Sequence, residues 1–292
     1  VPAFEARILE DTEEHRIDID RWGRKTRIMK GVTTIALGKE FPVTDSESWL
    51  PYKERLAGSV ERIGENLEEA ARKNLAGGGI NQFGAMGFYW FPRDLMGDEA
   101  LAVAYYEDPD LVHSINDTWC TLMEDVLHRV LSRIDLDVVH LNEDMAYKNA
   151  SMIGRSQFDE FMVPYYTRLA RIVKAHDTPI FSVDSDGFLG ELCEWFSACG
   201  VNLIGPNEVR AGNDIGAYRE RFGVAMAFDG GIDKLVLPEG RSAIDRMLER
   251  IVPPMMDSGG GWVVSLDHRV VPGTDLADFR YYLDRVRERT TF

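Results

Sequence analysis

The hydrophobic and polar positions change period twice along the chain. Residues 15–30, HRIDIDRWGRKTRIMK, alternate apolar and polar on both sides of an Arg-Trp-Gly-Arg turn, which is the pattern of a β-hairpin. Residues 44–76 follow a helical period, with Thr44, Ser46 or Ser48 as the expected cap and Leu56, Val60, Ile63 and Leu67 on one face. From residue 77 onward, short apolar segments alternate with longer amphipathic ones. The predicted strands are Ile80–Phe83, Val138–Leu141, Ile180–Val183, Leu203–Ile204, Ala225–Phe228 and Trp262–Ser265. Helical patterns cover Pro109–Ile134, Ser156–His176, Leu189–Cys199, Asp214–Arg221 and Arg241–Asp257. Such alternation dictates βα units and a parallel sheet. Repeated βα units after a hairpin fit either a doubly wound sheet or most of a barrel. No GxGxxG follows a strand and no Walker-type loop occurs, which removes the usual ground for the doubly wound sheet. The expected fold class is therefore α/β, a TIM (β/α)8-type barrel with an N-terminal β-hairpin decoration. No repeat, low-complexity tract or linker divides the chain. Residues 1–292 are read as one barrel domain, with 1–43 as its hairpin extension.

The chemistry is expected where each strand ends. The segments that follow the strands begin Asn142-Glu143-Asp144, Asp184-Ser185-Asp186, Gly205-Pro206-Asn207-Glu208, Asp229-Gly230-Gly231 and Leu266-Asp267-His268. In a parallel barrel they emerge on one face, the face that carries the active site. Asp184 and Asp186 are two apart, so both point to one side if strand geometry persists, and with His268 they make an O,O,N site for a divalent metal such as zinc. The alternative is that both aspartates cap a helix beginning near Phe188. Glu143, Asp229 and His268 are the candidate catalytic groups, with Glu143 as a general base or as a structural partner of Lys148. Lys148, Asn149 and Glu208 are candidates for holding substrate. So are Tyr89 and Arg93 in the run Phe88-Tyr89-Trp90-Phe91-Pro92-Arg93, which suits a flat anionic ligand; core packing or a subunit interface explains the same aromatics. His140, inside a strand, is read as a packed histidine.

Composition narrows the partners. A net charge of −16 argues against nucleic acid and anionic membrane surfaces, since phosphates require a basic patch. No apolar run approaches the ~20 residues of a membrane span, so a small-molecule substrate and a cytoplasmic location are expected. Cys120, Cys193 and Cys199 form no CxxC pair and are read as small buried hydrophobes in a reducing compartment. The first residues lack the pattern of a signal peptide, and the chain does not start with Met, as expected of a processed or partial sequence.

Several stretches carry a family resemblance. EDMAYKNASMIGRSQFDEFMVPYYTRL, VDSDGFLGELCEWFSACGVNLIGPNEV, AMAFDGGIDK and WVVSLDHRVVPGTDLADFRYYLDRV occur in the order found in the uroporphyrinogen decarboxylase superfamily, which also contains the cobamide-dependent methyltransferases. The resemblance runs from about residue 85 to the C-terminus, with a weaker echo in the hairpin, and implies a TIM barrel. It also implies that the chain begins downstream of the family's first helix and strand. The decarboxylases' RQAGRY segment, which binds the porphyrinogen carboxylates, has no counterpart here, and Asp267-His268-Arg269 stands where they have Gly-His-Gly. In the methyltransferase branch a His-x-Cys pair and a later Cys hold zinc. Those positions fall on Asp184-Ser185-Asp186 and on or beside His268, with hard ligands in place of soft ones. The resemblance thus implies a methyltransferase that exchanges a methyl group between a small substrate and a corrinoid (cobalamin-type) carrier, free or delivered by a corrinoid protein, with zinc as the metal. A homodimer is implied as well, with the Phe88–Phe91 aromatics covered on association. A decarboxylase-like lyase acting on a tetrapyrrole or other carboxylated substrate, and a non-catalytic tetrapyrrole-binding protein, are the alternatives.

Overall fold

The computed structural model describes residues 3–32 and 37–290; positions 1–2 and 33–36 of the expected hairpin extension, and 291–292, lie outside the described residues. The chain divides into two compact units, one made of residues 1–136 and 155–177, the other of 137–154 and 178–292.

In the first unit the expected hairpin is part of a four-stranded antiparallel sheet, β1 (Arg7–Asp11), β2 (His15–Ile19), β3 (Lys25–Met29) and β4 (Leu37–Glu40). β2 and β3 pair in register from His15 opposite Met29 to Ile19 opposite Lys25. The turn between them is held by Asp20, whose side chain accepts from the Trp22 and Arg24 backbone N–H groups at 2.9 and 3.0 Å. The expected long helix over 44–76 is two helices, α1 (Ser46–Arg55) and α2 (Leu67–Ala76), with a 3-10 turn at Val60–Arg62 between them. Asp45 caps α1, reciprocally with Ser48: Asp45 accepts from Ser48 N at 2.8 Å, and Asp45 N donates to Ser48 Oγ at 3.0 Å. Leu56 and Ile63 are buried, but Val60, in the 3-10 turn, is exposed. β5 (Gln82–Met86) starts two residues later than expected, because the Asn74 side chain holds the Ile80 carbonyl at 2.6 Å outside the strand.

Helices α3 (Trp90–Met96), α4 (Asp98–Glu107), α5 (Pro109–Leu131), α6 (Arg155–Phe161) and α7 (Val163–Ala175) complete the unit. The expected 156–176 helix breaks at Met162 because Pro164 fits only a first helical turn. The aromatic run is core here. Phe88 stacks on Tyr165 at 5.2 Å and Phe91 on Trp119 at 4.1 Å, while buried Asn116 donates to the carbonyls of Phe88 and Phe161. Phe88, Tyr89 and Phe91 are buried within one copy of the chain, so the expectation that they form an exposed patch awaiting a second copy is corrected.

The second unit is a parallel sheet of β6 (Val138–Asn142), β7 (Ile180–Asp184), β8 (Leu203–Gly205), β9 (Ala227–Asp229) and β10 (Trp262–Val263), accompanied by α8 (Leu192–Ala198), α9 (Ile215–Phe222), α10 (Arg241–Asp257) and α11 (Leu276–Thr290). Spatial order follows chain order from β6 to β10, without the reversal that defines a doubly wound sheet. Along the sheet Val139, Leu141, Phe181, Val183, Ile204 and Phe228 form a buried apolar face. The alternate positions, His140, Asn142, Asp184 and Asp229 among them, form a half-open polar face. Ile244, Leu248, Val252 and Tyr282 pack α10 against α11. Among the described residues no helix is long and apolar enough to cross a membrane, and all three cysteines are buried.

Candidate functional site

The polar face of the second unit's sheet ends in a cluster of carboxylates. Asn142 and Asp184 are opposite one another in the β6–β7 register, and the Asn142 amide donates to Asp184 Oδ1 at 2.9 Å. Beyond the strand ends the loops after β6 and β7 come together. The Asp186 N–H faces Asp144 Oδ1 at 3.4 Å, and Phe188 N donates to the Tyr147 carbonyl at 2.8 Å. Their closeness depends on Gly187. At its φ of +92°, a Cβ would lie 2.7 Å from the carbonyl oxygens of both Ala146 and Tyr147. Asp144 itself has a φ of +41°, an unusual conformation for a residue with a side chain, and it aims its carboxylate back at the β7 end.

Asp144, Asp184 and Asp186 each offer an oxygen within 4.8 Å of the others. His268 stands beside them, its Nε2 3.3 Å from Asp186 Oδ2, but outside that mutually close group. The electrostatics register the crowding. Burial first, then the charges of Asp144, Asp186 and Asp229, push the Asp184 carboxyl up to about 7 against the opposing Asn142 hydrogen bond. Asp186 is also raised by burial and by Asp144, and lowered by His268. Neither aspartate caps a helix: α8 begins at Leu192 and its N-cap, Glu191, makes no side-chain cap bond. The capping alternative is therefore removed.

The other expected residues divide between the two units. Asp229, at the end of β9, accepts from the Ser265 hydroxyl, and its backbone carbonyl accepts from Asn207 at 2.8 Å. Gly205 lets it approach, since a Cβ there would lie 2.8 Å from that of Asp229. Glu143 is fully buried, between the half-exposed Asn142 and Asp144. Glu208 is engaged by Lys234 Nζ at 2.7 Å and by the Gly187 N–H at 3.1 Å. Burial raises its carboxyl, but these two partners outweigh burial and hold it below the ordinary range. Lys148 and Asn149 are exposed in the loop after β6. Tyr89 and Arg93 belong to the first unit, where Arg93 lies over the Tyr89 and Trp90 rings at 5.4 Å. His140 hydrogen-bonds Ser182 at 2.8 Å, and burial lowers its pKa, as befits a packed histidine.

Two contributors escaped the sequence reading. Asp144 supplies the third carboxylate. Asp267, fully buried, accepts from Val209 N at 2.9 Å and Lys234 N at 3.0 Å, with Lys234 Nζ at 3.5 Å. It ties the loops after β8 and β9 to its own and so fixes the base from which His268 projects. The available signal was its place directly before His268 at a strand end.

The family model described as Uroporphyrinogen decarboxylase (URO-D) matches residues 95–289. The uroporphyrinogen decarboxylase of Schizosaccharomyces pombe is 22% identical over 148 residues, covering 48% of this chain and 40% of that enzyme. The uroporphyrinogen decarboxylase of Rhodococcus opacus is 25% identical over 177 residues, covering 56% of this chain and 47% of that enzyme. The aligned part thus spans about half the length of these relatives or less. Among solved structures, a methyltransferase from Methanosarcina mazei superposes with a TM-score of 0.62 at 14% identity, over 91% of this chain and 75% of its own. At that identity the likeness is one of fold.

Proposed function

This chain belongs to the uroporphyrinogen decarboxylase family, and within it we propose a methyltransferase that moves a methyl group between a small substrate and a corrinoid carrier, assisted by a divalent cation. In this reading the parallel strands, in unbroken order from β6 to β10, are part of a (β/α)8-type barrel with its site at the C-terminal strand ends. The observation that carries the proposal is the convergence of Asp144, Asp184 and Asp186 at those ends. Three carboxylates raise one another's energy unless a proton or a cation offsets them, and Asp184 is pushed up accordingly. The donor set fits a cation. It is all oxygen, so it suits a hard ion such as Mg²⁺ or Mn²⁺ and accepts zinc less selectively than a thiolate site would. When bound, the cation supplies Lewis acidity at the heteroatom that carries the methyl group.

The chain's own groups do the rest. Asn142 orients Asp184, and Asp267 fixes the loop that carries His268. His268, paired with Asp186, donates a proton to the heteroatom as the methyl group leaves without the bonding electron pair, which the heteroatom keeps. The carrier, a co-substrate, provides the nucleophilic pair that forms the new bond to carbon. Glu143, fully buried, stays outside the reacting group. Uptake of a polycarboxylate macrocycle for decarboxylation is opposed by the same face, since every added carboxylate would meet the charges that already crowd Asp184. The test is to titrate metal-depleted protein with Mn²⁺ and with Zn²⁺ at pH 7.5, and to follow spectrophotometrically the conversion of chemically reduced cob(I)alamin to methylcobalamin with a methyl ether, methylamine or methyl thioether as the methyl donor. One divalent ion per chain and metal-dependent demethylation are expected. No divalent binding with either ion in excess would overturn the reading.

A further inference from the structure

The first unit contains a cavity of about 550 Å³ that the proposed methyl transfer leaves unused. One wall is aromatic and fixed. Phe91 and Trp119 stack at 4.1 Å, and Trp22 meets their edges at 6.1 and 6.4 Å. Trp119 is locked by a 2.8 Å bond from its indole N–H to the Met86 carbonyl. Trp22 is held by the hairpin turn, because Asp20 accepts from its N–H and binds Arg24, which also pairs with Asp94. Across the cavity Phe4 stacks on Tyr52 at 4.5 Å. The floor includes Gly84 and Ala85, which offer little side chain to fill the space. Rigid aromatic walls with small residues between them define a slot suited to a planar apolar body.

The charge of the slot is the second observation. The chain has 49 acidic and 33 basic residues, yet the charged side chains lining the cavity, among the described residues, are Arg21, Arg55 and Arg62. Arg21 is exposed and makes no ion pair among the described residues; its guanidinium lies 6.0 Å from the centre of the Trp22 ring. Arg55 lies over the Phe4 ring at 4.3 Å. Arg62 donates to the backbone carbonyls of Arg55 and Ala57, and its charge also reaches Asp125, outside the cavity lining. Three guanidinium groups beside an aromatic slot, in a strongly acidic chain, favour an anion with a flat apolar part.

We infer that this cavity is a binding site for a planar aromatic carboxylate, with the ring between the Trp22 and Phe4 walls and the carboxylate toward Arg21 and its neighbouring arginines. The inference stands apart from the metal reading, since every residue it uses lies in the first unit. Calorimetric titration of the full chain with 2-naphthoate, and with neutral 2-naphthamide of the same shape, tests it. One naphthoate per chain at a Kd below about 100 µM is expected, with the amide at least about tenfold weaker. Arg21→Met, at an exposed position that threatens no core packing, should weaken naphthoate about tenfold and leave the amide and the melting temperature unchanged. Asp184→Asn should bind naphthoate as the unaltered chain does, whether or not it binds metal. Equal affinity for acid and amide, no binding at millimolar naphthoate, an unaffected Arg21→Met variant, or loss of naphthoate binding in Asp184→Asn would each overturn the inference.

Discussion

The sheet end of the second unit and the cavity of the first unit accumulate opposite charges by different means. At the sheet end, four aspartates from the segments at and after β6, β7 and β9 crowd until burial and mutual repulsion lift Asp184 to about 7. In the cavity, arginines rest against aromatic rings and backbone carbonyls, and no carboxylate joins them in the lining among the described residues. Elsewhere the chain pairs its charges routinely, as Arg168 does with Glu124 and Arg133 with Glu68. Like charges held together improve no fold by themselves, so each of these places invites an outside partner of opposite sign. Backbone turns gather the carboxylates at the sheet end, whereas aromatic packing gathers the arginines around the cavity.

The comparison breaks most visibly at Asp184. Asp184→Ala should lower methyl transfer and divalent affinity by at least about a hundredfold, because one of three charged ligands is lost; metal analysis beside a methylcobalamin assay reads both. Asp267→Asn is expected to cost about 3 kcal/mol in urea unfolding, since a buried carboxylate that serves two backbone N–H groups and Lys234 is replaced by a weaker acceptor.

A smaller effect concerns pH. The folded chain holds the Asp184 proton more tightly than an ordinary carboxyl of 3.8 would. Its contribution to stability is therefore complete below about pH 4 and is lost as pH rises through about 7. Metal-depleted protein should melt about 5 °C lower at pH 8 than at pH 5 on this account, and the Asp184→Asn variant should flatten that difference. Added Mn²⁺ should restore the melting temperature at pH 8. The smallest effect belongs to the hairpin: Asp20→Ala removes the acceptor for Trp22 N and Arg24 N and should cost about 1 kcal/mol by thermal unfolding.

Much of this architecture is written in short-range pattern. The strands starting at Val138, Ile180, Leu203 and Trp262 begin where their apolar runs begin, because a strand buried on one face must be apolar at alternate positions. The apolar run of β9 starts at Ala225, two residues before the strand, because a 3-10 turn at Gly223–Ala225 absorbs its start. Helical period cannot show a break made by Pro164 when the residues on both sides stay amphipathic. The neighbourhood of Asp184, Asp186 and His268 is legible because they lie at or after strands of one sheet, although His268 reaches only Asp186 and stays outside the close carboxylate group. Asp144 is not legible, since its aim depends on a positive φ that no spacing rule encodes. The aromatic slot was missed for a related reason: Trp22 and Trp119 are far apart in sequence and meet only through the turn that Asp20 builds.

Asp267 has an implication for how a scaffold of this kind changes its substrate. The loops after β8 and β9 share one buried carboxylate, so a change in either is felt by the other and by the residue preceding His268. The side chains of Tyr147–Ala150 have no such obligation; they are exposed, and the stretch is held through its backbone, by the bonds from Tyr147 N to the Ala150 carbonyl and from Phe188 N to the Tyr147 carbonyl, both at 2.8 Å. Variation can accumulate there at little cost to the machinery beside it. A library diversified over Tyr147, Lys148 and Asn149 should therefore yield altered selectivity in folded proteins, while one diversified over Val209, Lys234 and Asp267 should yield mostly unfolded chains.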